Sequence, residues 1–440
     1  MKLHLPVVCT LLLIGSCNSS NRENRDASGT QPPHIILIMA DDMGFECLSA
    51  YGSLSYHTPR LDRIAEEGIL ATRCISNPLC TPSRVKIMTG LHNYRNYEHF
   101  GYLNPDEYTF GNLLKEAGYQ TCIVGKWQLN GIYHSLPGNQ DLDRPHVFGF
   151  DEYCLWQVHK GKKEGERYAG PLIVQNGQEL DRDPDAYGPD VFLRYALSFI
   201  ERNQDQPFFL YYPMVLVHSP FVPTPDSKAW ENPERRYEKD TAYFRDMVAY
   251  TDKIVGQLAD KLERLGIAEN TLLIFTGDNG THKAIHTRTK TGTIQGGKGE
   301  TIDAGVHVPL VMQWPAMIDE PIVYDGIIEF SDFFPTFAEI AGREVTSDGK
   351  SFYGLLAGTK YDAREYAFVH YDPRWGNRVN QFRNRFLQNR RYKLYHDSSF
   401  YDLETDRLEQ NPIPYDSLSQ LNALRDSMHA LLNEKPAWTE

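Results

Sequence analysis

Two stretches of this chain share one arrangement, an apolar run that stops on a pair of oxygen-bearing side chains. His34-Ile35-Ile36-Leu37-Ile38-Met39-Ala40 stops on Asp41-Asp42, and Thr271 to Thr276 stops on Gly277 and then Asp278-Asn279. An apolar run without polar alternation suits a strand buried on both faces, which is the setting of a parallel sheet. Parallel strands need long crossovers, usually helical. Strands are expected at 69–76, 120–124, 207–217, 308–313 and 322–328, with helices at 59–67, 109–117, 188–202, 239–265 and 333–341. Thr58 and Pro59 are expected to start the first of these helices as N-cap and first helical residue. Residues 130–187 read as irregular apart from a short hairpin near 172–180. From about residue 362 the pattern changes to short β-like runs (367–371, 382–387, 392–396) and a final helix near 417–432. The expected class is α/β: a large, mostly parallel sheet sandwiched by helices over 33–361, then a small α+β subdomain at 362–440.

In such a sheet, ligands bind outside the carboxyl ends of the strands. Asp41-Asp42 and Asp278-Asn279, some 240 residues apart, are therefore expected to meet in one crevice. Three carboxylates and an amide oxygen, with no cysteine–histidine set, suit a hard cation such as Ca2+ or Mg2+. Taken singly, each pair is also what an ordinary turn uses. Arg84, Lys126, His218 and Lys298 likewise fall at strand ends or in Gly-rich loops. Each alone reads as a solvated charge, but with a cation they would neutralise a tetrahedral oxyanion such as sulfate or phosphate. The formal net charge is −13, which argues against general nucleic-acid binding and requires a local positive cluster for any anionic substrate.

Cys80-Thr81-Pro82-Ser83-Arg84 opens what reads as an amphipathic helix, with Pro82 in its first turn. A thiol at a helix N-terminus is expected to have a lowered pKa. The alternative is a half-buried cysteine at an ordinary helix start.

These five residues match the Cys-x-Pro-x-Arg signature of the type I sulfatases of the alkaline phosphatase superfamily, which the chain resembles over about residues 33–412. Asp41-Asp42, Gly125-Lys126-Trp127, His218-Ser219-Pro220, Thr276-Gly277-Asp278-Asn279-Gly280, Gly297-Lys298-Gly299, Trp314-Pro315 and Tyr392-Lys393-Leu394 are further matching blocks in the same order. The resemblance implies an alkaline-phosphatase-like fold and a sulfuric ester hydrolase. It implies that a sulfatase-maturing enzyme oxidises Cys80 to Cα-formylglycine, whose hydrate attacks sulfur with one hydroxyl and expels sulfate with the help of the other. It further implies that Asp41, Asp42, Asp278 and Asn279, with position 80, hold Ca2+ (Mg2+ possible). Arg84 would hold the gem-diol, and Lys126 and Lys298 would bind the sulfate. His218 would be the general acid for the leaving alcohol, since imidazole titrates near working pH. The family usually has histidine where this chain has Gln128, and an amide cannot take up the proton of the diol. The block Ile302 to Pro309 also departs, with Asp303 and His307 where Glu and Arg are common, and reads as structural or as a support behind the site residues.

A sulfated carbohydrate is the expected substrate. Gln128, His134, His370, Asp372 and Arg374 are candidate contacts, together with Trp156. Residues 374–391 carry Arg374, Arg378, Arg383, Arg385, Arg390 and Arg391 with Trp375 and Phe382 interleaved. That segment suits either a polyanionic glycan or a solvated sheet edge. The rival activities are a phosphodiesterase or phosphonate monoester hydrolase of the same superfamily, and non-catalytic binding of sulfated glycans.

The N-terminus reads as a signal. Lys2 and His4 precede an apolar run, Leu5 to Gly15, too short to span a bilayer. Ile14-Gly15-Ser16-Cys17 resembles a lipobox, which implies a signal peptide at 1–17 and a periplasmic or cell-surface lipoprotein anchored at Cys17; an ordinary secretory signal is the alternative. Residues 18–32 read as a polar tether. Cys47, Cys74, Cys80, Cys122 and Cys154 contain no CxxC pair, so a zinc site is not expected, and their spacing assigns no disulfide.

Overall fold

The strands expected from the apolar runs form, and they set out the rest of the molecule. The computed structural model describes residues 31–161, 165–375, 381–415 and 419–438. The expected signal peptide and lipobox, all but the end of the tether, and Arg378 lie outside the described residues. In chain order the strands are β1 (His34–Ala40), β2 (Ile69–Ile75), β3 (Gln120–Lys126), β4 (Glu152–Trp156), β5 (Val174–Gln175), β6 (Gln178–Glu179), β7 (Phe208–Pro213), β8 (Thr271–Gly277), β9 (His286–Thr289) and β10 (Gly292–Gln295). They continue with β11 (His307–Val308), β12 (Leu310–Gln313), β13 (Ile322–Glu329), β14 (Ala367–Tyr371), β15 (Asn384–Gln388), β16 (Tyr392–Tyr395) and β17 (Phe400–Asp402).

The large sheet runs β13, β2, the β11–β12 segment, β8, β1, β7, β3, β4, β5, β6. Its centre, β8-β1-β7-β3-β4, is parallel throughout. β12 runs against both β8 and β2, and β5 runs against β4. All seven residues of β1 are buried, with Leu37 level with Tyr211 of β7 and Ile274 of β8. Successive side chains point to opposite faces, so the strand feeds two cores. Ile35, Leu37 and Met39 pack with Phe110, Leu113 and Phe337 from the helices Phe110–Glu116 and Phe333–Ile340. Ile36 and Ile38 pack with Phe192, Ala196, Val255 and Leu258 from the helices Gly188–Arg202 and Tyr243–Leu265.

Local chemistry sets the helix ends. The Thr109 hydroxyl accepts from the N–H groups of Gly111 and Asn112 while the Asn112 amide oxygen accepts from the Thr109 N–H, a reciprocal cap. Gly266, at φ 70°, ends Tyr243–Leu265 in the left-handed conformation. The Thr58 cap differs from expectation. It precedes the helix Pro59–Glu66, but its hydroxyl serves Ser49 and Asp62 and makes no cap bond.

A second sheet, antiparallel β14-β15-β16-β17, carries the helix Ser419–Asn433, whose Met428 and Leu432 pack on Phe368, Leu387, Leu394 and Phe400. Residues Pro32–Glu440 form one compact unit. Three further readings need correction. The span 130–187 is not irregular, because Glu152–Trp156 extends the parallel sheet as β4. β7 ends at Pro213, and residues 214–217 are a buried loop rather than strand. The helix Cys80–Thr89 is not amphipathic, because all ten of its residues are buried. The five cysteines are buried and free, with no disulfide among the described residues. No described helix is long and apolar enough to cross a membrane.

Candidate active site

The residues that end the parallel strands share one edge of the large sheet. Ala40 and Gly277 face each other at the ends of β1 and β8, so Asp41 and Asp278 leave the sheet at the same level. The Asp278 N–H donates to the Ala40 carbonyl at 2.9 Å, and the Asp42 N–H donates to Asp278 Oδ1 at 2.9 Å. Asp42 itself stands at φ 62°, a left-handed position that a short polar side chain tolerates. β3 brings Lys126, the turn after β2 brings Cys80 as the first residue of its helix, and the loop after β7 brings His218.

Asp41, Asp42, Asp278 and Asn279 are fully buried. Ligand atoms of Asp41, Cys80 and Asp278 lie within 4.8 Å of one another, as do those of Asp41, Asp42 and His218. Asn279 Nδ2 donates to Asp42 Oδ1 at 3.0 Å and to the Gly280 carbonyl at 2.9 Å, while Asn279 Oδ1 is buried with no hydrogen-bond partner. A buried acceptor without a donor is costly, and here it joins three carboxylates. An all-oxygen set with a vacant lone pair fits a hard divalent cation.

Cations hold the carboxylates from the other side. Lys126 Nζ donates to Asp41 Oδ1 and Oδ2 at 2.9 and 2.8 Å. Arg84 donates to Asp278 Oδ2 at 3.2 Å and to the Lys126 carbonyl at 3.0 Å, and its buried Nε has no partner. Lys298 Nζ reaches Asp42 Oδ2 at 2.5 Å and His218 Nε2 at 3.0 Å. Burial pushes the Asp41 and Asp42 carboxyls up, but the cations around them, Lys126 first for Asp41 and Lys298 for Asp42, hold both below the ordinary range. Burial and the Asp41 charge push Asp278 up to about 7, outweighing Arg84.

Two expectations about titration change. Burial raises the Cys80 thiol above its usual value, against the pull of Lys126, so the predicted lowering is not found. The thiol stays neutral and donates to Gln128 Oε1 at 3.3 Å. Burial likewise outweighs Asp42 at His218 and lowers its imidazole to about 3. With Nδ1 at 2.5 Å from the Ser219 carbonyl, His218 carries its proton there and offers Nε2 as the acceptor for Lys298. At neutral pH the proton of this pair sits on Lys298, whose pKa Asp42 raises against the effect of burial.

The cluster forms the floor of a cavity of about 920 Å³ lined by Cys80, Lys126, Gln128, His218 and Lys298. Its wall is aromatic, with Phe100, Tyr133, Trp156, Tyr371, Trp375 and Phe382. Trp375 is half exposed and stacks on Phe100 with ring centroids 4.5 Å apart and planes 4° apart. Gln128 Nε2 donates to the Tyr133 hydroxyl at 3.3 Å, and Gln157 Nε2 donates to the same oxygen at 2.5 Å.

The other candidate contacts lie off this wall. His134 sits beside His99 with ring centroids 5.0 Å apart. His370 is buried against Tyr94 and Trp438, and Asp372 accepts from Arg374 Nε at 3.1 Å and Arg383 Nε at 3.0 Å. The cavity takes Tyr371, Pro373 and Trp375 instead. Neighbouring residues of a strand point to opposite sides, so His370 and Tyr371 at the end of β14 part there, and the sequence reading chose the one facing away. Of the two readings of the arginine-rich segment, the structure gives the sheet edge, with Arg390 and Arg391 exposed. Arg385 donates to the Lys435 and Pro436 carbonyls, Arg390 pairs with Asp325, and Arg391 pairs with Asp402 at 2.7 Å. Among the described residues of this segment, the aromatic side chains reach the cavity and the arginines do not. Asp303 and His307 form a buried pair 3.3 Å apart, away from the cavity, as expected of a structural block.

Sequence reasoning missed Phe100, Tyr133, Gln157, Arg167 and Tyr371, all on the wall. A signal existed for Gln157. It follows the short apolar run Tyr153–Trp156, just as Asp41 follows β1.

Comparison with known proteins agrees with this geometry. The family described as Sulfatase matches residues 33–343, and the family described as N-sulphoglucosamine sulphohydrolase, C-terminal, matches residues 300–437. The chain is 32% identical over 353 residues to an N-acetylgalactosamine-6-sulfatase of Canis lupus familiaris, a match that takes in 73% of this chain and 65% of that protein. The chain thus spans a little under two thirds of the length of that relative. It is 27% identical over 441 residues to an N-acetylgalactosamine-6-O-sulfatase of Bacteroides thetaiotaomicron, covering 82% of this chain and 83% of that one. A solved structure, described as a complex with its substrate D-glucosamine-2-N,6-O-disulfate, shares the fold with a TM-score of 0.71 at 24% identity, over 92% of this chain and 97% of the other. With the family match extending over well more than half of its length and the signature residues gathered at one sheet edge, the chain belongs to the sulfatase family of the alkaline phosphatase superfamily.

Proposed function

We propose that the protein hydrolyses a sulfate ester of a sulfated carbohydrate, using formylglycine formed from Cys80 and a divalent cation. One observation carries the reading. The Cys80 side chain stands at the floor of an aromatic-walled cavity, among the buried oxygens of Asp41 and Asp278 and within reach of Lys126, Lys298 and Arg84. Asp41, Asp42, Asp278 and Asn279 would hold Ca2+ or Mg2+, which supplies Lewis-acid polarisation of the sulfate ester and of the nucleophile. The hydrated aldehyde at position 80 supplies a nucleophilic hydroxyl and a second hydroxyl that releases the sulfate.

The chain's own residues do the rest. Arg84 lies one helical turn from position 80 and so shares its face. Its unpartnered Nε is available to a hydroxyl there. Lys126 and Lys298 neutralise sulfate oxygens. The proton for the leaving alcohol comes from the Lys298–His218 pair, where Lys298 holds it and His218 Nε2 receives from Lys298. Gln128 fixes the orientation of the position-80 side chain by hydrogen bonding and does not act as a base. Phe100, Trp375 and their aromatic neighbours offer flat surfaces for the apolar faces of sugar rings. The relatives named for hexosamine 6-sulfates make a sulfated hexosamine the first substrate class to try. A sulfatase-maturing enzyme and export as a lipoprotein anchored at Cys17 belong to the same proposal.

The test is co-expression with a maturing enzyme, mass spectrometry of the Cys80 peptide, and a screen of defined sulfated mono- and oligosaccharides with and without chelator. Formylglycine at position 80 and cation-dependent sulfate release are expected. Faster release of phosphate from matched phosphate esters, or full activity with an unmodified thiol, would overturn the proposal.

A further inference from the structure

We propose that Arg167 is a further substrate-binding residue of this site, donating a hydrogen bond to an oxygen of the scissile sulfo group. The inference rests on the sulfatase reading above and adds a cation that the signature motifs do not contain. The Arg167 side chain is only 5% exposed, yet it lines the cavity. Its Nη1 is buried and has no hydrogen-bond partner. The same atom stands 4.0 Å from Asp41 Oδ2, within ion-pair range but too far for a hydrogen bond.

Asp41 does not account for this arginine. Both its oxygens already accept from Lys126, at 2.9 and 2.8 Å. A guanidinium cannot shed its proton, and burying one with idle donors is unfavourable unless a ligand completes it. The matching ligand is an oxyanion, which the guanidinium fork suits better than an ammonium does.

The surroundings hold the group in place for such a ligand. The guanidinium lies 4.2 Å from the Trp156 ring centroid, a cation–π contact that fixes its plane and leaves its edge free. Trp156 ends β4 directly beside Lys126 in the parallel ladder, so the platform is part of the sheet. The adjoining Tyr168 hydroxyl donates to the carbonyls of Val215, at 2.9 Å, and His218, at 2.5 Å, which ties the segment to the His218 loop. Arg167 thus sits between the strand that carries Lys126 and the loop that carries His218. Its closeness to Asp41, a carboxylate of the cation site, places its free donor at the sulfo group rather than among the aromatic side chains that would meet a neighbouring sugar.

The deciding measurement is calorimetric binding of inorganic sulfate to the matured, Ca2+-loaded protein, for wild type, Arg167→Gln and Arg167→Lys. Arg167→Gln is expected to weaken sulfate binding by roughly tenfold or more, the scale of one charge-assisted hydrogen bond. Arg167→Lys should fall between the two, and Ca2+ affinity and melting temperature should hold in both. Unchanged sulfate binding in Arg167→Gln overturns the proposal. So does a parallel loss of Ca2+ binding in both variants, which would make Arg167 a positioning residue acting through Asp41. If Arg167→Gln does not fold, Arg167→Lys decides: it keeps charge and bulk, and wild-type affinity for sulfate in it overturns the role of the guanidinium fork. Turnover gives a second readout, since kcat/KM should drop by a similar factor on singly and doubly sulfated sugars. A drop confined to doubly sulfated sugars moves Arg167 to a second anionic group and overturns the assignment. A wild-type protein that neither binds nor releases sulfate sinks the sulfatase reading as well, whereas a competent wild type with an unaffected Arg167→Gln sinks this inference alone.

Discussion

Gln128 touches the position-80 side chain directly, so on the proposed reading its chemistry bears on the reacting group itself. Its amide oxygen accepts from Cys80, and its amide nitrogen donates to Tyr133. Replacing it with leucine keeps the bulk and removes both bonds. Gln128→Leu is expected to lower kcat by about fivefold, the worth of one lost hydrogen bond near 1 kcal/mol. Steady-state kinetics with the formylglycine content matched to wild type would show it, and an unchanged kcat would remove Gln128 from the mechanism. At this scale the sequence was most informative where a residue closes an uninterrupted apolar strand, as Asp41, Lys126 and Asp278 do. Strand polarity alone brings those side chains to one edge. It was least informative at His370, Asp372 and Arg374, at and beyond the end of β14, where their neighbours Tyr371, Pro373 and Trp375 line the cavity instead. Arg167 had no local sign at all, because its place depends on Trp156 and Asp41, both distant in sequence.

Among the elements, the helix Cys80–Thr89 is held by a buried ionic network on the side away from the cavity. Lys86 Nζ donates to the Phe368 carbonyl at 2.9 Å and lies 3.3 Å from Glu329 Oε2. Glu329 also takes His92 at 2.9 Å, Arg364 at 3.3 Å, the Ser331 hydroxyl at 2.5 Å and the Phe368 N–H at 2.8 Å. One carboxylate therefore joins the helix Cys80–Thr89, the end of β13 and the start of β14. Glu329→Leu strips the partner from two buried cations and is expected to destabilise the fold by about 3–5 kcal/mol. Urea denaturation measures the loss, and a change below about 1 kcal/mol would show that the network carries little stability. The expected amphipathic helix is not found, because Arg84 and Lys86 are both buried. Internal carboxylates on both sides replace water there, which a single sequence does not reveal.

Across the whole molecule, one buried acid should couple stability to pH. Glu46 is fully buried, accepts from the Thr281 hydroxyl at 2.5 Å, and has Oε2 without a partner. Burial pushes its carboxyl up to about 7. The folded protein therefore keeps a proton that the unfolded chain gives up in the ordinary carboxyl range. The stability from this group is full at low pH and is lost as pH rises through about 7. Glu46→Gln, neutral at every pH, should match wild type near pH 4 and exceed it near pH 8 by up to about 3 kcal/mol. Denaturant titration at both values checks the sign, and a constant difference would show that Glu46 does not titrate in this window.

The enclosure of Cys80 also fixes an order of events. The residue is 2% exposed and faces Lys126, Gln128, Asp278 and Lys298, all later in the chain. On the proposed reading, an enzyme that oxidises this thiol must grip the backbone around it, and the finished fold offers no such access. Maturation then has a deadline: it must occur before the chain through residue 298 has emerged and closed over position 80. A maturing enzyme should therefore convert Cys80 in a peptide of residues 76–90 and leave it untouched in folded, unmodified protein. Mass spectrometry of the two reactions checks this, and conversion of the folded protein at the rate of the peptide would show that the site opens.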